Sequence, residues 1–156
     1  MLSFKKILCP TDFSEPSLEA LQYGVDLALH FAAELHLVHV ISPVPPQYPY
    51  PTPPFISGYD LASYQQELTT SAENALKGLV AQKVSPQVHT LATVVTGDAA
   101  TEIVRLAREK QVDLIVIATH GQTGWRHLVF GSVARKVMGL APCPVLTIRA
   151  PRGEGK

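Results

Sequence analysis

The chain has 156 residues, about one domain's worth at the usual ~150, and its 13 Lys+Arg balance 13 Asp+Glu to zero formal charge. Without a basic surplus it lacks the electrostatic footprint for duplex DNA or an anionic membrane surface. At 46% hydrophobic and 17% charged residues it buries a real core and falls outside the disordered class.

The longest apolar run, Leu114 to Ala118 extended by Thr119, is far short of the ~20 residues that span a bilayer. The apolar stretch after Lys5 and Lys6 ends at Pro10 and Asp12, too early for a signal peptide. Cys9 and Cys143 are too few for a disulfide scaffold and fit no zinc spacing. The expectation is a cytoplasmic protein with no membrane and no nucleic-acid partner.

Residues 4–9 read as a first strand stopping at Pro10. Ser14 then caps a helix, with Pro16 tolerated in its first turn, and Leu18, Leu21, Val25, Ala28, Leu29 and Ala32 form its apolar stripe. Leu35 to Ile41 is a mostly apolar strand of the kind buried on both faces. From Ser42 to Gly58 the rhythm breaks: seven of the 13 prolines fall between Pro43 and Pro54, among Tyr48, Tyr50 and Phe55. That composition predicts an extended surface loop, either a variable connection or a segment that docks a partner or covers a ligand. Helical spacing resumes at Leu61, Tyr64, Leu68, Ala72, Ala75, Leu76 and Leu79 and ends before Pro86. Residues 87–95 form a third strand, and Asp98 caps a helix that buries Ile103, Leu106 and Ala107. Asp113 to Ala118 is a fourth strand, Gly131 to about Leu140 a short helix, and Pro144 to Arg149 an edge strand opened by proline. Strands alternating with helices imply a parallel sheet covered on both faces.

In such a sheet ligands bind beyond the carboxyl ends of the strands. Four segments lie there: Pro10-Thr11-Asp12, Val40-Ile41, Gly97-Asp98 and Ala118-Thr119-His120-Gly121. The last leads to Gly131-Ser132 at a helix start, where unpaired N–H groups and the helix dipole favour an anion. Gly121 near one end and Gly131-Ser132 near the other can hold a polyphosphate; in the blander reading, Gly121 and Gly124 shape a turn and Ser132 caps the helix. Neither G-x4-G-K-[ST] nor G-x-G-x-x-G is present, which argues against fast hydrolysis and against a dinucleotide dehydrogenase. His36 and His39 point to opposite faces of one strand and make no metal site. Cys9 reads as a small buried hydrophobe rather than a reactive thiol, and His120, His127, Arg126 and Trp125 as loop residues.

Three blocks make the chain recognisable. Ile7-Leu8-Cys9-Pro10-Thr11-Asp12-Phe13-Ser14, Leu37-Val38-His39-Val40-Ile41, and Ala118-Thr119-His120-Gly121, nine residues, Gly131-Ser132 resemble the universal stress protein family over essentially its whole length. The third block resembles the ATP-binding signature G-x2-G-x9-G-[ST], with Ala118 in place of the first glycine; Ala141-Pro142-Cys143-Pro144-Val145-Leu146 also fits. The expected fold is then a single-domain, Rossmann-like α/β structure over residues 1–150: an open parallel five-stranded sheet in the order 3-2-1-4-5, the 42–58 loop inserted and 151–156 a flexible tail. By resemblance Asp12 sits at the nucleoside with Pro10 and Thr11 beside it, and Val40 supplies backbone contacts. Ile117 and Ala118 line the ribose side, while His120, Gly121, Gly131, Ser132 and Val133 lie at the phosphates. The resemblance implies an ATP-binding regulatory or stress-resistance factor, with Mg²⁺ or Mn²⁺ accompanying the nucleotide. It also implies a homodimer through the 144–149 edge strand, and at most slow ATP hydrolysis. The alternative is a nucleotide-free protein-interaction module of the same fold.

Overall fold

The computed structural model describes residues 1, 3–43, 61–120 and 130–149. Nine elements alternate: β1 (Lys6–Pro10), α1 (Glu15–Phe31), β2 (Glu34–Ile41), α2 (Leu61–Lys83), β3 (Thr90–Thr96), α3 (Ala99–Glu109), β4 (Leu114–Ala118), α4 (Ser132–Leu140) and β5 (Val145–Ile148). The strands form one parallel sheet in the order β3-β2-β1-β4-β5, the order expected from the sequence.

Alternation along each strand divides the core into two layers. Ile7, Cys9, Leu35, Leu37 and Val116 face α1 and α2, meeting Leu21, Val25, Leu76 and Leu79. Leu8, Val38, Ile115 and Ile117 face α3 and α4, meeting Ile103, Val104, Ala134 and Val137. Helices therefore cover both faces of the sheet.

Local chemistry sets the helix starts. Ser14 caps α1 in extended conformation, its side chain accepting from Ser17 N, with proline in the first turn. Asp98 caps α3 by accepting from Thr101 N at 3.0 Å. Elsewhere the boundaries move. Residues 87–89 are not strand, because Val88 N closes a turn onto Ser85 O and delays β3 to Thr90. Gly131 caps α4, and Ser132 is the first helical residue with no side-chain cap, so the reading of Ser132 as the cap is wrong. The α1 stripe is also rotated from its expected line. Ser17, Ala20, Leu21, Gly24, Val25 and Ala28 are buried, Leu29 is 41% exposed, and Ala32 has left the helix in a left-handed cap. Likewise Tyr64 and Ala75 of the α2 stripe are exposed, while Leu76 and Leu79 are the core residues among the described side chains of that helix.

Candidate functional site

β1 and β4 are neighbours in the middle of the sheet, and the helices that follow them leave on opposite faces. That reversal opens a crevice above their carboxyl ends, the usual place for a ligand in this architecture. A cavity of about 360 Å³ lies there, within the range of small-molecule sites.

The β1–α1 turn supplies one wall. Thr11 N donates to Val38 O at 2.8 Å, tying the turn to β2. Thr11 Oγ1 accepts from Phe13 N at 3.1 Å and lies 3.0 Å from Ser17 Oγ, which donates to Ser14 O at 2.8 Å. Phe13 takes a left-handed conformation, φ 63°, a strained choice for an aromatic residue. Behind it His39 Nδ1 lies 2.8 Å from Thr11 O, where only an N–H can bond a carbonyl, and its ring packs 4.7 Å from the Phe13 ring. Asp12 Oδ1 accepts from Ser14 N at 3.0 Å and from the Ser14 hydroxyl, so this carboxylate helps to build the helix start beside the cavity.

Of the residues put forward from sequence, Pro10, Thr11 and Asp12 line this wall and Val40 lines the adjoining end of β2. Ile117 and Ala118 form the floor, and His120, Gly131, Ser132 and Val133 line the α4 side. Gly121 lies outside the described residues, as do Gly124, Trp125, Arg126, His127, most of the 42–58 loop and the tail. The departure at Ala118 carries no backbone strain: Phe13, Ala32 and Gln111 are the non-glycine residues with positive φ among those described. Gly131 passes close to the end of β4: a Cβ there would stand 3.2 Å from Thr119 O, tighter than an ordinary contact. Its N–H is spent on that same carbonyl at 2.6 Å, which corrects the expectation that this amide faces a ligand. Among the described residues, the unpaired amides of the helix start are those of its first three residues, Ser132, Val133 and Ala134. His120 Nδ1 lies 2.9 Å from Thr119 Oγ1.

The sequence reading missed Ser17, Thr119, Ala99 and Ile103, which also line the cavity. Ser17 and Thr119 are buried polar residues; nothing in the spacing marks Ser17, whereas Thr119 lies within the Ala118 to Gly121 segment without having been put forward as a site residue. Ala99 and Ile103 were within reach, because the carboxyl end of β3 had been picked out and α3 begins there. Lys136 Nζ reaches Asp98 Oδ2 at 2.9 Å and so ties α4 to the α3 cap beside the cavity. Asp98 is held well below the usual carboxylate range, first by the Thr101 hydroxyl and then by Lys136 and the Thr101 N–H.

Other candidates lie elsewhere. Cys9 is 1% exposed, and burial pushes its thiol up to about 12; it and Cys143 are both free. His36 Nε2 stands 2.6 Å from Glu34 Oε1, at ion-pair distance but outside hydrogen-bond geometry. Among the described residues no three His, Cys, Asp or Glu side chains come together as a metal site, and no helix is long and apolar enough to cross a membrane.

Sheet order and cavity define an open parallel α/β protein with its site at the reversal of strand order. The chain belongs to the universal stress protein family, whose profile matches residues 3–149. It is 35% identical to universal stress protein MJ0531 of Methanocaldococcus jannaschii over 153 residues, covering 97% of this chain and 85% of that one. The solved structure of MJ0577 from the same organism matches with a TM-score of 0.81 at 27% identity, over 97% of this chain and 100% of that one. Two further structures share the fold. One is a universal stress protein in complex with cAMP (TM-score 0.61, 20% identity, 94% of this chain and 98% of that one). The other is a universal stress protein of Archaeoglobus fulgidus in complex with dAMP (0.55, 19%, 95% and 99%). Those two members of the family bind adenine nucleotides.

Proposed function

We propose that this chain is a nucleotide-responsive regulatory or stress-resistance protein whose ligand is ATP. The observation that carries the reading is the start of α4 beside the crevice: amides of Ser132, Val133 and Ala134, unpaired among the described residues, on one side, and the apolar side chains of Val40, Ile103 and Ile117 on the other. An anion gains from the first group, and a base and sugar from the second. Adenine and ribose lie along Pro10, Thr11, Asp12, Val40, Ile117 and Ala118. The phosphates lie toward His120, Gly121, Gly131, Ser132 and Val133. Asp12 is the sole carboxylate among the described lining residues, so Mg²⁺ or Mn²⁺ enters on the phosphates of the nucleotide rather than in a protein cage. No lysine is among the described lining residues and no paired base stands ready for water, which favours binding over turnover.

The protein works in the cytoplasm as a homodimer that pairs the 144–149 edge. Support comes from Leu146, 38% exposed, on β5, whose outer edge is unpaired among the described residues.

Isothermal titration with ATP, ADP, AMP and cAMP, with mass analysis of any co-purified ligand, tests the reading. Heat of binding that is strongest for ATP supports it. No heat and no carried nucleotide points instead to an interaction module of the same fold. Gly131→Val removes the close approach to Thr119 and is expected to abolish ATP binding with the circular dichroism spectrum retained; surviving affinity sinks the phosphate placement.

A further inference from the structure

We infer that the opposite edge of the sheet, β3 backed by α2, is a self-association surface that takes a second copy of this chain about a two-fold axis at Thr93. β3 pairs with β2 over its whole length, from Leu35↔Thr90 to Ile41↔Thr96, and ends the sheet among the described residues. The direction of its outer groups follows from two bonds. Leu35 N donates to His89 O and Gly97 N to Ile41 O, each at 2.9 Å. Odd-numbered residues therefore turn their peptide groups to β2, and Thr90, Ala92, Val94 and Thr96 turn theirs outward.

Natural edges are blunted by charge, proline, bulges or shortness. β5 is short, four residues between Pro144 and Arg149. β3 has none of these guards: Thr-Leu-Ala-Thr-Val-Val-Thr contains no charge, proline or glycine. It is also nearly palindromic. Laid antiparallel on a copy with Thr93 at the axis, Thr90 meets Thr96 and Ala92 meets Val94, so every outward-facing residue meets another and each such pair exchanges two bonds. On the face that α3 leaves open, Leu91, 42% exposed, lies opposite the copy's Val95, an apolar cross-strand pair.

The helix behind the strand is complementary to itself in the same register. α2 lies over β3 more than over β2, and a groove of about 300 Å³ runs between them. Leu76, Ala92 and Val94 line it, with Glu73 and Lys77 beside them. Glu73 and Lys77 stand one turn apart and form no ion pair or hydrogen bond among the described residues. Both border the groove at the level of Thr93, so the two-fold axis brings each Glu73 to the copy's Lys77 and each Lys77 to the copy's Glu73. The two α2 helices then run antiparallel, side by side. Charges left idle in one chain become paired in two.

Sedimentation equilibrium over a concentration series, on the full chain without nucleotide and carrying Leu146→Lys to block the β5 edge, tests this contact alone. Ala92→Pro suits an edge strand because its lost N–H points outward; it is expected to weaken association about tenfold or more while far-ultraviolet circular dichroism is unchanged. Glu73→Lys sets like charges across the axis and is expected to weaken association by a similar factor. Adding Lys77→Glu to Glu73→Lys restores it to within about threefold, and both changes sit on an exposed helix surface, so the test stands even if the proline variant fails to fold. Leu146→Lys on the far edge leaves this contact intact. A wild-type chain that stays monomeric overturns the inference. So does association lost with Leu146→Lys but indifferent to Ala92→Pro, or a double charge swap as weak as the single one.

Discussion

Ser14 shows how much of the site rests on one small side chain. Its hydroxyl donates to Asp12 and accepts from Ser17 N, while its carbonyl accepts from Ser17 Oγ, which in turn meets Thr11. Ser14→Ala is expected to cost about 1 kcal/mol in urea unfolding, the usual effect of losing a helix cap, and to loosen Asp12 as well. From sequence, Ser14 was legible as a cap and Asp12 as a site residue, because both residue types are favoured where a strand gives way to a helix. That Asp12 serves the cap and the cavity together was not legible: an Asp that turns back on its own backbone and one that awaits a ligand are spelled alike. Cys9 was legible as a buried hydrophobe. With its thiol pushed up to about 12 by burial, alkylation of the folded protein at pH 8 should label only Cys143, and that slowly, since burial and then the Asp113 charge raise it too. Cys9 should react only after denaturation, as read by peptide mass analysis.

Between elements, α1 meets β1 at a point of no tolerance. A Cβ on Gly24 would stand 2.2 Å from Cys9 Sγ, so the helix lies close to the sheet because residue 24 has no side chain. Gly24→Ala is expected to cost about 1–3 kcal/mol through overpacking. Cys9→Ala in the same chain should return part of that, and a double-mutant cycle in thermal melts with coupling below about 0.5 kcal/mol would argue against the contact. No periodicity rule foresees this, since glycine in a helix reads only as a weak helix former; the same blindness explains why the α1 stripe was drawn through Leu29 and Ala32 instead of Gly24. The α3–α4 junction carries a pH effect. Because the folded state depresses Asp98, the bonds from Thr101 and Lys136 stabilise the fold above the ordinary Asp value, about 4. That stabilisation fades as pH falls toward the lower folded value. Asp98→Asn should therefore flatten the acid side of the stability curve below about pH 4, measured by thermal melts across pH, and leave the neutral side parallel to wild type.

At the scale of the molecule, the strand order 3-2-1-4-5 was the most legible feature. Alternating apolar strands and capped helices imply a covered parallel sheet, and the three family blocks supply its order. The depth of the cavity was less legible, because Ser17 is a single hydroxyl in the first turn of α1 with no pattern around it, and Thr119 is an unspecified position within its motif. The walls come from the ends of three strands and the starts of three helices, between Pro10 and Ala134, so they exist together only in the finished fold. Any molecule seated there fastens segments more than a hundred residues apart, and by mass action it adds about 2.7 kcal/mol of stability at one hundred times its dissociation constant. The temperature at which this protein melts thus becomes a gauge of how much of that molecule surrounds it.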